Sequence, residues 1–514
     1  MSVHFFTYRM HAASAEKNLS LIFMNSTMIQ FFHWYTPGES FLWDHAADQA
    51  EYLANLGITA AWLPPAYKGA SGSFSTGYDP YDLFDLGEFD QKGVVPTKYG
   101  SRDQFLNACK TLQKNGIGVI VDVVLNHKGG GDEKEKFQVV KVDPEHRDRG
   151  ITEPYEIESY TKFTFPGRGE KYSTFKWDFT CFTGVDHAEN EDGYNIYRII
   201  NDYGDNWDEM ISCEKGNFDF LMLNDLETRN PYVRGELNYW GEWFHEQCHF
   251  DGVRLDAVKH MTPDFYKEWL QVLRSNTGKN VFAVGEYWAP GDLELLERYL
   301  DAVDGSMTLF DSSLHHNLHN ASEAGEVFDL RTILDNSLMM SNPTAAVTLV
   351  ENHDTQPLQA LEAPVAAWFK PLAYALILLR AEGYPCVFHP DLYGAKYKDT
   401  GNDGEEYEIE IMKVGCLENL LKARKDFAYG HQNVYFDDPH CIGFTRLGDE
   451  DHAGCAVIMS NQGDFTKRME MGTDYSGKKF HDILGHVEGE IAIGEDGWAE
   501  FKCPAGSVSV WVPN

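Results

Sequence analysis

No stretch of the 514-residue chain approaches the ~18–20 consecutive apolar residues that a membrane-spanning helix needs. The longest apolar run, Leu372 to Leu379, is short, is bracketed by Lys370 and Arg380, and reads as a buried helix. The N-terminal MSVHFFTYRMHAASAEKNLSLIF has no clean basic region, no apolar core of ~7–15 residues and no small-residue cleavage site, so no secretory signal is expected there. A poorly structured leader is expected instead, with the fold beginning near Met24 or Ile29. Cysteines are few: nine, an odd number, with no CxxC pair. That is the pattern of reduced thiols in a cytoplasmic protein and not of a disulfide framework. The sequons at Asn18, Asn25 and Asn320 would matter only after secretion. Positive charge is scarce as well, since 43 Lys and Arg stand against 80 Asp and Glu, a net charge of −37 at pH 7. Such a chain repels phosphate backbones and anionic lipid surfaces, which excludes nucleic acid and membranes as partners. A neutral substrate and divalent cations remain compatible with it.

What is present is ample for packed cores, with 43% hydrophobic and 14% aromatic residues. The dominant rhythm is a short β-branched or apolar run followed by an amphipathic stretch. The runs are TMIQFF (27–32), ITAAWL (centred on 59–63), GIGVIVDVVL (116–125), GVRLDAV (252–258), VFAVGE (281–286), SMTLF (306–310), AVTLVE (346–351) and YPCVFH (384–389). Eight strand–helix units in a row predict an α/β fold of the (β/α)8 barrel type. One connection breaks the rhythm: about a hundred residues, rich in Gly, Asp, Tyr and Trp, separate His127 from the next helix near Thr228, too many for a structureless loop. The expected organisation is an N-terminal extension over 1–26, a first barrel part over 27–127, an inserted subdomain after strand 3 over 128–228, a second barrel part over 229–428 and a C-terminal β-sandwich over 429–514. The last rests on alternating short strands such as CIGFTRL, GCAVIMS and SVSVWV.

In such barrels the chemistry sits at the C-terminal ends of the strands. Here those ends carry Asp122 with Asn126 and His127, Arg254 with Asp256, Glu286, and His353 with Asp354. Any one of these acids alone reads as a helix cap or a solvated turn residue. Together with an arginine on an otherwise buried strand they read as a site, because buried charge requires partners. Paired carboxylates facing a neutral substrate suggest glycoside hydrolysis, one ionised for attack and the other protonated to donate to the leaving oxygen. Arg254 beside Asp256 would favour the anion there, and an apolar setting between Val284 and Trp288 would raise the pKa of Glu286. Tyr78, Tyr287 and Trp288 offer flat faces for sugar rings, although each alone is more often a core aromatic.

The segments DVVLNH (122–127), GVRLDAVKH (252–260), GEYW (285–288) and ENHDT (351–355), in this order and spacing, resemble the four motifs of the α-amylase family of glycoside hydrolases, family 13. FFHWYTPGESFLWDHAADQAEYLANLGITAAWLPPAYKG (31–69), GYDPYDLFDLGEF (77–89) and WFKPLAYALILLR (368–380) are similar to the liquefying bacterial members, the non-secreted branch in particular. The resemblance implies a retaining endo-hydrolase of α-1,4 bonds in starch, glycogen or maltodextrins, acting on its α-glucan as a monomer. It implies Asp256 as nucleophile, Glu286 as general acid/base and Asp354 as the group that binds sugar hydroxyls in the transition state. Arg254 would orient Asp256. His127 and His353 would bind the sugar at the cleavage point with Tyr78 stacked on it, and Lys259, His260 and Trp288 would line the leaving-group side. It further implies a calcium ion held by Asn126, Asp219, Asp225 and the backbone carbonyl of His260, oxygen donors of the kind calcium takes, with Asp208 as a further candidate.

The chain departs from the family pattern in places. Gly285 precedes Glu286 where Ala is usual, Glu351 stands where Asp or Ala is common, and Leu223 and Asn224 are atypical. Thr183 falls where secreted relatives place an aspartate for a second metal, which argues for one calcium and against an array. One competing motif remains: His245-Glu246-Gln247-Cys248-His249 matches the HExxH of zinc peptidases. Phe250-Asp251-Gly252 follows at once, so these histidines are expected at a helix end near the bottom of the barrel. A catalytically dead carbohydrate binder would require a lost carboxylate, and all three are present.

Overall fold

The computed structural model describes residues 25–38 and 41–514. Of the expected N-terminal extension, all but Asn25 and Ser26 therefore lies outside the described residues. Eight parallel strands close into a barrel: β1 (Met28–Gln30), β2 (Ala60–Leu63), β3 (Gly118–Val123), β4 (Gly252–Leu255), β5 (Phe282–Gly285), β6 (Thr308–Phe310), β7 (Ala346–Leu349) and β8 (Tyr384–Phe388). Each is followed by a principal helix: α1 (Leu42–Asn55), α2 (Arg102–Lys114), α3 (Pro231–Cys248), α4 (Pro263–Thr277), α5 (Leu293–Ala302), α6 (Ser312–Ala324), α7 (Lys370–Leu379) and α8 (Leu417–Phe427). The strands are shorter than the apolar runs that announce them. Gly116 takes a φ of 78° in the turn before β3, and Val124 and Leu125 have already left it, buried in the mouth.

The helices start and stop where local chemistry dictates. Ser101 caps α2 through a reciprocal box with Gln104, Asn230 caps α3 ahead of Pro231, and Gly278 ends α4 with a φ of 66°. α7 is buried along nearly its whole length, as its unbroken apolar run requires.

After β3 the chain enters an antiparallel sheet whose order is His127–Lys128, Asn224–Leu226, Phe182–Val185, Ile196–Ile199, Glu133–Asp143, His146–Gly150, with Tyr155–Lys162 paired to the long fifth strand. The first two are its attachment to the barrel, setting Asp225 opposite His127 and Asn224 opposite Lys128. Lys128 is buried, donates to the Tyr81 carbonyl at 2.6 Å, and lies 4.9 Å from the centre of the Trp177 ring, so a cation wrapped in aromatics pins the sheet. A hairpin of Ala395–Thr400 and Glu406–Ile411, which the sequence did not announce, leaves the barrel after β8 and stacks Tyr397 on Tyr35 at 3.9 Å. Beyond α8 the chain is all β: a six-stranded sheet and a two-stranded one enclose a separate core that includes Ile458, Phe480, Phe501 and Trp511.

Replacing Ser101 by Ala removes one half of the capping box and leaves the Gln104 amide unsatisfied. Stability should fall by about 1 kcal/mol, seen as an earlier midpoint in urea unfolding followed by circular dichroism.

Candidate active site

The site is built around β4. Register places Arg254 opposite Asp122 on β3 and Val284 on β5, and alternation returns the chain to the same face at Asp256. Arg254 is fully buried. One terminal nitrogen of its guanidinium donates to Asp256 Oδ1 at 2.6 Å and to Asp122 Oδ1 at 3.0 Å; the other donates to Glu286 Oε2 at 2.6 Å. Asp122 is held in turn by Trp62 Nε1 at 2.9 Å and Tyr78 Oη at 2.7 Å. One cation thus serves three carboxyl groups, and Asp354 enters the same field from the end of β7. Burial pushes Glu286 up to about 8, against the pull of Arg254 and with the repulsion of Asp256 and Asp354 added. Burial likewise lifts Asp354 to about 7 and Asp122 to about 6, Arg254 opposing and Asp256 reinforcing in both cases.

Tyr78 forms the wall of this cluster. Its ring stacks on His353 at 4.9 Å and on Trp34 at 5.8 Å. His353 approaches Asp354 at 3.3 Å and is kept neutral by burial and by Arg254. His127 already spends both ring nitrogens on protein oxygens, Tyr78 O at 2.8 Å and Asn126 Oδ1 at 3.2 Å. Opposite them, Lys259 Nζ donates to the Trp288 carbonyl at 3.2 Å and pairs with Glu214 of the insertion at 2.6 Å. The His260 ring is turned away onto Phe218 O at 2.7 Å.

The expected metal ligands also converge. The Asn126 amide nitrogen lies 3.1 Å from Asp225 Oδ1 and 3.0 Å from the His260 carbonyl, while Asp219 Oδ2 accepts the Asp208 amide at 3.0 Å. Thr183 donates its hydroxyl to Asp225, and Asp208 is paired with Arg229 at 3.1 Å. Asp219 and Asp225 are buried, form no ion pair among the described residues, and are raised well above the carboxylate range by burial and by acidic neighbours. Among the described residues no cluster of three or more His, Cys, Asp or Glu side chains stands in metal-holding geometry. The group at Asn126 is of another composition: two carboxylates, an amide and a carbonyl.

Family models match most of the chain: "Alpha amylase, catalytic domain" over 43–426 and "Alpha-amylase C-terminal" over 456–512. The chain is 49% identical over 489 residues to the cytoplasmic α-amylase of Escherichia coli (strain K12), covering 95% of this chain and 99% of that one. It is 46% identical to an α-amylase of Geobacillus stearothermophilus, over 95% of this chain and 87% of the relative. The chain belongs to the α-amylase family. It is therefore a glycoside hydrolase. Solved structures share the fold at low identity: α-amylase I of Eisenia fetida superposes with a TM-score of 0.66 at 16% identity, covering 95% of this chain and 97% of that one. An α-amylase of Geobacillus thermoleovorans solved with acarbose gives 0.60 at 18%, covering 92% of each.

Within this α-amylase-family chain the peptidase-like motif stands apart. His245 is in the last turn of α3, packed edge-on to Phe250, whereas His249 has left the helix with a φ of 51°. The two rings lie 5.7 Å apart, and the pair sits at the C-terminal end of α3, just before β4 begins. A cavity of about 720 Å³ opens at the opposite end of the barrel, beside Gly118, Phe282 and Thr308 at the strand starts, and none of the expected site residues lines it. The residues that sequence reasoning passed over are Trp62, Trp34 and Glu214, which support Asp122, Tyr78 and Lys259. The signal for Trp62 was available, as an indole on a barrel strand needs a polar partner; Glu214 had none, because it reaches Lys259 from 45 residues away in the chain.

Glu286 should hold its proton until the pH rises through about 8. Infrared difference spectra should show a carboxylic-acid C=O band that disappears over that range and is missing from Glu286→Gln.

Proposed function

We propose that the chain is an α-amylase that hydrolyses internal α-1,4-glucosidic bonds of starch, glycogen and maltodextrins with retention of configuration. The observation that carries this is the single guanidinium of Arg254 holding Asp256 and Glu286 at once, each at 2.6 Å. A carboxylate fixed by a charge-assisted hydrogen bond, close to a carboxyl group that burial keeps protonated, is the pair a double displacement uses. Asp256 attacks the anomeric carbon as Glu286 passes its proton to the glycosidic oxygen. The C–O bond to the leaving chain breaks and a glycosyl–aspartate ester forms. Glu286, now anionic, takes a proton from water, which displaces Asp256 from the sugar. Asp354, bearing on the same cluster, would bind ring hydroxyls more tightly as the ring flattens, with Tyr78 beneath it and His127 and His353 at its edge. Lys259, His260 and Trp288 would face the leaving chain. The names of relatives support the substrate class: those from Escherichia coli and Geobacillus stearothermophilus are α-amylases, and one from Bacillus sp. (strain 707), 44% identical over 95% of this chain and 92% of its own, is a glucan 1,4-α-maltohexaosidase.

The residues around Asn126 fit a calcium ion. Asp219 and Asp225 are buried acids with no ion-pair partner among the described residues, and they lie with Asn126 and the His260 carbonyl where barrel meets insertion. The Asn126 amide would turn its oxygen to the ion, an exchange of ends that leaves its shape unchanged. When bound, the ion supplies positive charge that ties insertion to barrel and keeps His127, the next residue, in place. Asp208 shares Arg229 with Glu227, and Thr183 offers no charge, so one ion is expected. The cytoplasm is the proposed location, supported by nine free cysteines, eight of them buried, and by the likeness to the Escherichia coli relative named for that compartment.

Three outcomes are expected. Asp256→Asn should lower turnover on soluble starch by several orders of magnitude with sugar binding retained, and products of the native protein should carry the α-configuration in polarimetry. His249→Ala should hydrolyse starch at a rate of the same order as the native protein; zinc-dependent peptidase activity of the native protein would bring the rival motif back. Chelation should lower the melting temperature and increase hydrogen exchange between His127 and Thr228, because a ligand bound only by the folded state adds about 2.7 kcal/mol at a hundredfold excess over its Kd. A melting temperature unmoved by chelator, or no calcium found after dialysis, would end the calcium assignment.

A further inference from the structure

A second buried charge cluster lies behind the mouth and takes no part in the chemistry above. Glu351, two residues past β7, is buried; its Oε1 accepts the Val365 amide at 3.0 Å and its Oε2 accepts Lys370 Nζ at 2.6 Å. The same ammonium donates to Asp391 Oδ1 at 2.6 Å, and Asp391 Oδ2 accepts Tyr374 Oη at 2.6 Å. Lys370, Tyr374 and Asp391 are buried too. Two carboxylates around one desolvated ammonium add little net stability over a well-packed apolar core, since desolvation offsets their attraction. What they supply is fixed geometry: the exit of β7, the start of α7 and the turn after β8 meet at one point.

That point is the neck of a loop. Residues 352–364 run out over the mouth and back, and the bond from Val365 to Glu351 closes them at the base. Inside the loop, Asn352 Oδ1 accepts the amides of Asp354 and Thr355 at 2.9 Å, and Leu361 N donates to the Asp354 carbonyl at 3.2 Å. Gln356 accepts the Trp34 amide at 3.1 Å, so the indole stacked on Tyr78 depends on the same loop. Among the described residues the Asp354 carboxylate meets only His353, at 3.3 Å, and does not bond Arg254. Its position comes from the backbone that carries it.

We propose that Glu351 is a positioning residue for the reaction: through Val365 and Lys370 it fixes the neck of the 352–364 loop, and with it the place where Asp354 meets the sugar. This rests on the role of Asp354 in the function proposed above. The test uses the full chain with Glu351→Ala, Glu351→Gln and Asp354→Asn, singly and combined, assayed on a maltooligosaccharide of defined length. Glu351→Ala should lower kcat about 10- to 100-fold with KM little changed, the loss expected when a group acting on the reacting atoms is misplaced. In the Asp354→Asn background the same replacement should bring little further loss, because the group it positions is already disabled. Glu351→Gln keeps the volume and the acceptor for Val365 but loses the ion pair, and should fall between; if the alanine variant does not fold, the glutamine variant in the same cycle decides. Native kcat in the glutamine variant, or losses that multiply independently of Asp354→Asn, would overturn the assignment while leaving the catalytic scheme intact. Full activity of Asp354→Asn would overturn both.

Discussion

Arg254 has no exposed surface, and three carboxyl groups from three separate strands converge on its guanidinium. A lysine could not do this, because a single point charge lacks the planar fork that holds Asp256 on one nitrogen and Glu286 on the other. Trp62 and Tyr78 close the remaining space, their ring centres 5.1 and 5.6 Å from the guanidinium carbon, so water is kept from the cation and the acids feel its charge undiluted. The short positive charge is the point. With three carboxyl groups to one guanidinium, burial outweighs the pull of Arg254 at Glu286 and keeps its proton on, and a proton donor arises beside Asp256 on one wall of one barrel.

The rest of the fold reads as support for that arrangement. The barrel brings β3, β4 and β5 into parallel register, so Asp122 and Arg254 are opposite neighbours and Glu286 follows two residues past Val284. The insertion returns to the barrel through a two-residue pairing at His127 and Lys128, which sets Asp225 beside Asn126. A buried lysine on an aromatic cage secures that joint at Lys128, and Lys259 paired with Glu214 spans the cleft on the other side. The chain carries a net charge of −37, yet its buried cations are spent where backbone segments from distant parts of the sequence must meet.

Much of the fold was legible in the sequence because its signals are local. Apolar runs of strand length act over a few residues, and they announced the barrel strands and the β-rich C-terminal part, while the break in their rhythm announced the long insertion. The carboxylates at the strand ends were legible for the same reason, since a barrel presents those ends to one mouth whatever its loops do. The motif order then carried the family. The hairpin after β8 was missed because its charged, alternating strands look like solvated loop.

What only the tertiary structure decided is how these groups share charge and space. That Arg254 divides itself between Asp256, Glu286 and Asp122, that both His127 nitrogens are engaged, that His249 leaves its helix, and that Glu351, Lys370 and Asp391 close a loop neck are facts of position across tens to hundreds of residues. No local pattern encodes them, because a buried charge takes its partner from whatever the packing brings within about 3 Å, and its proton affinity follows from burial and neighbours together.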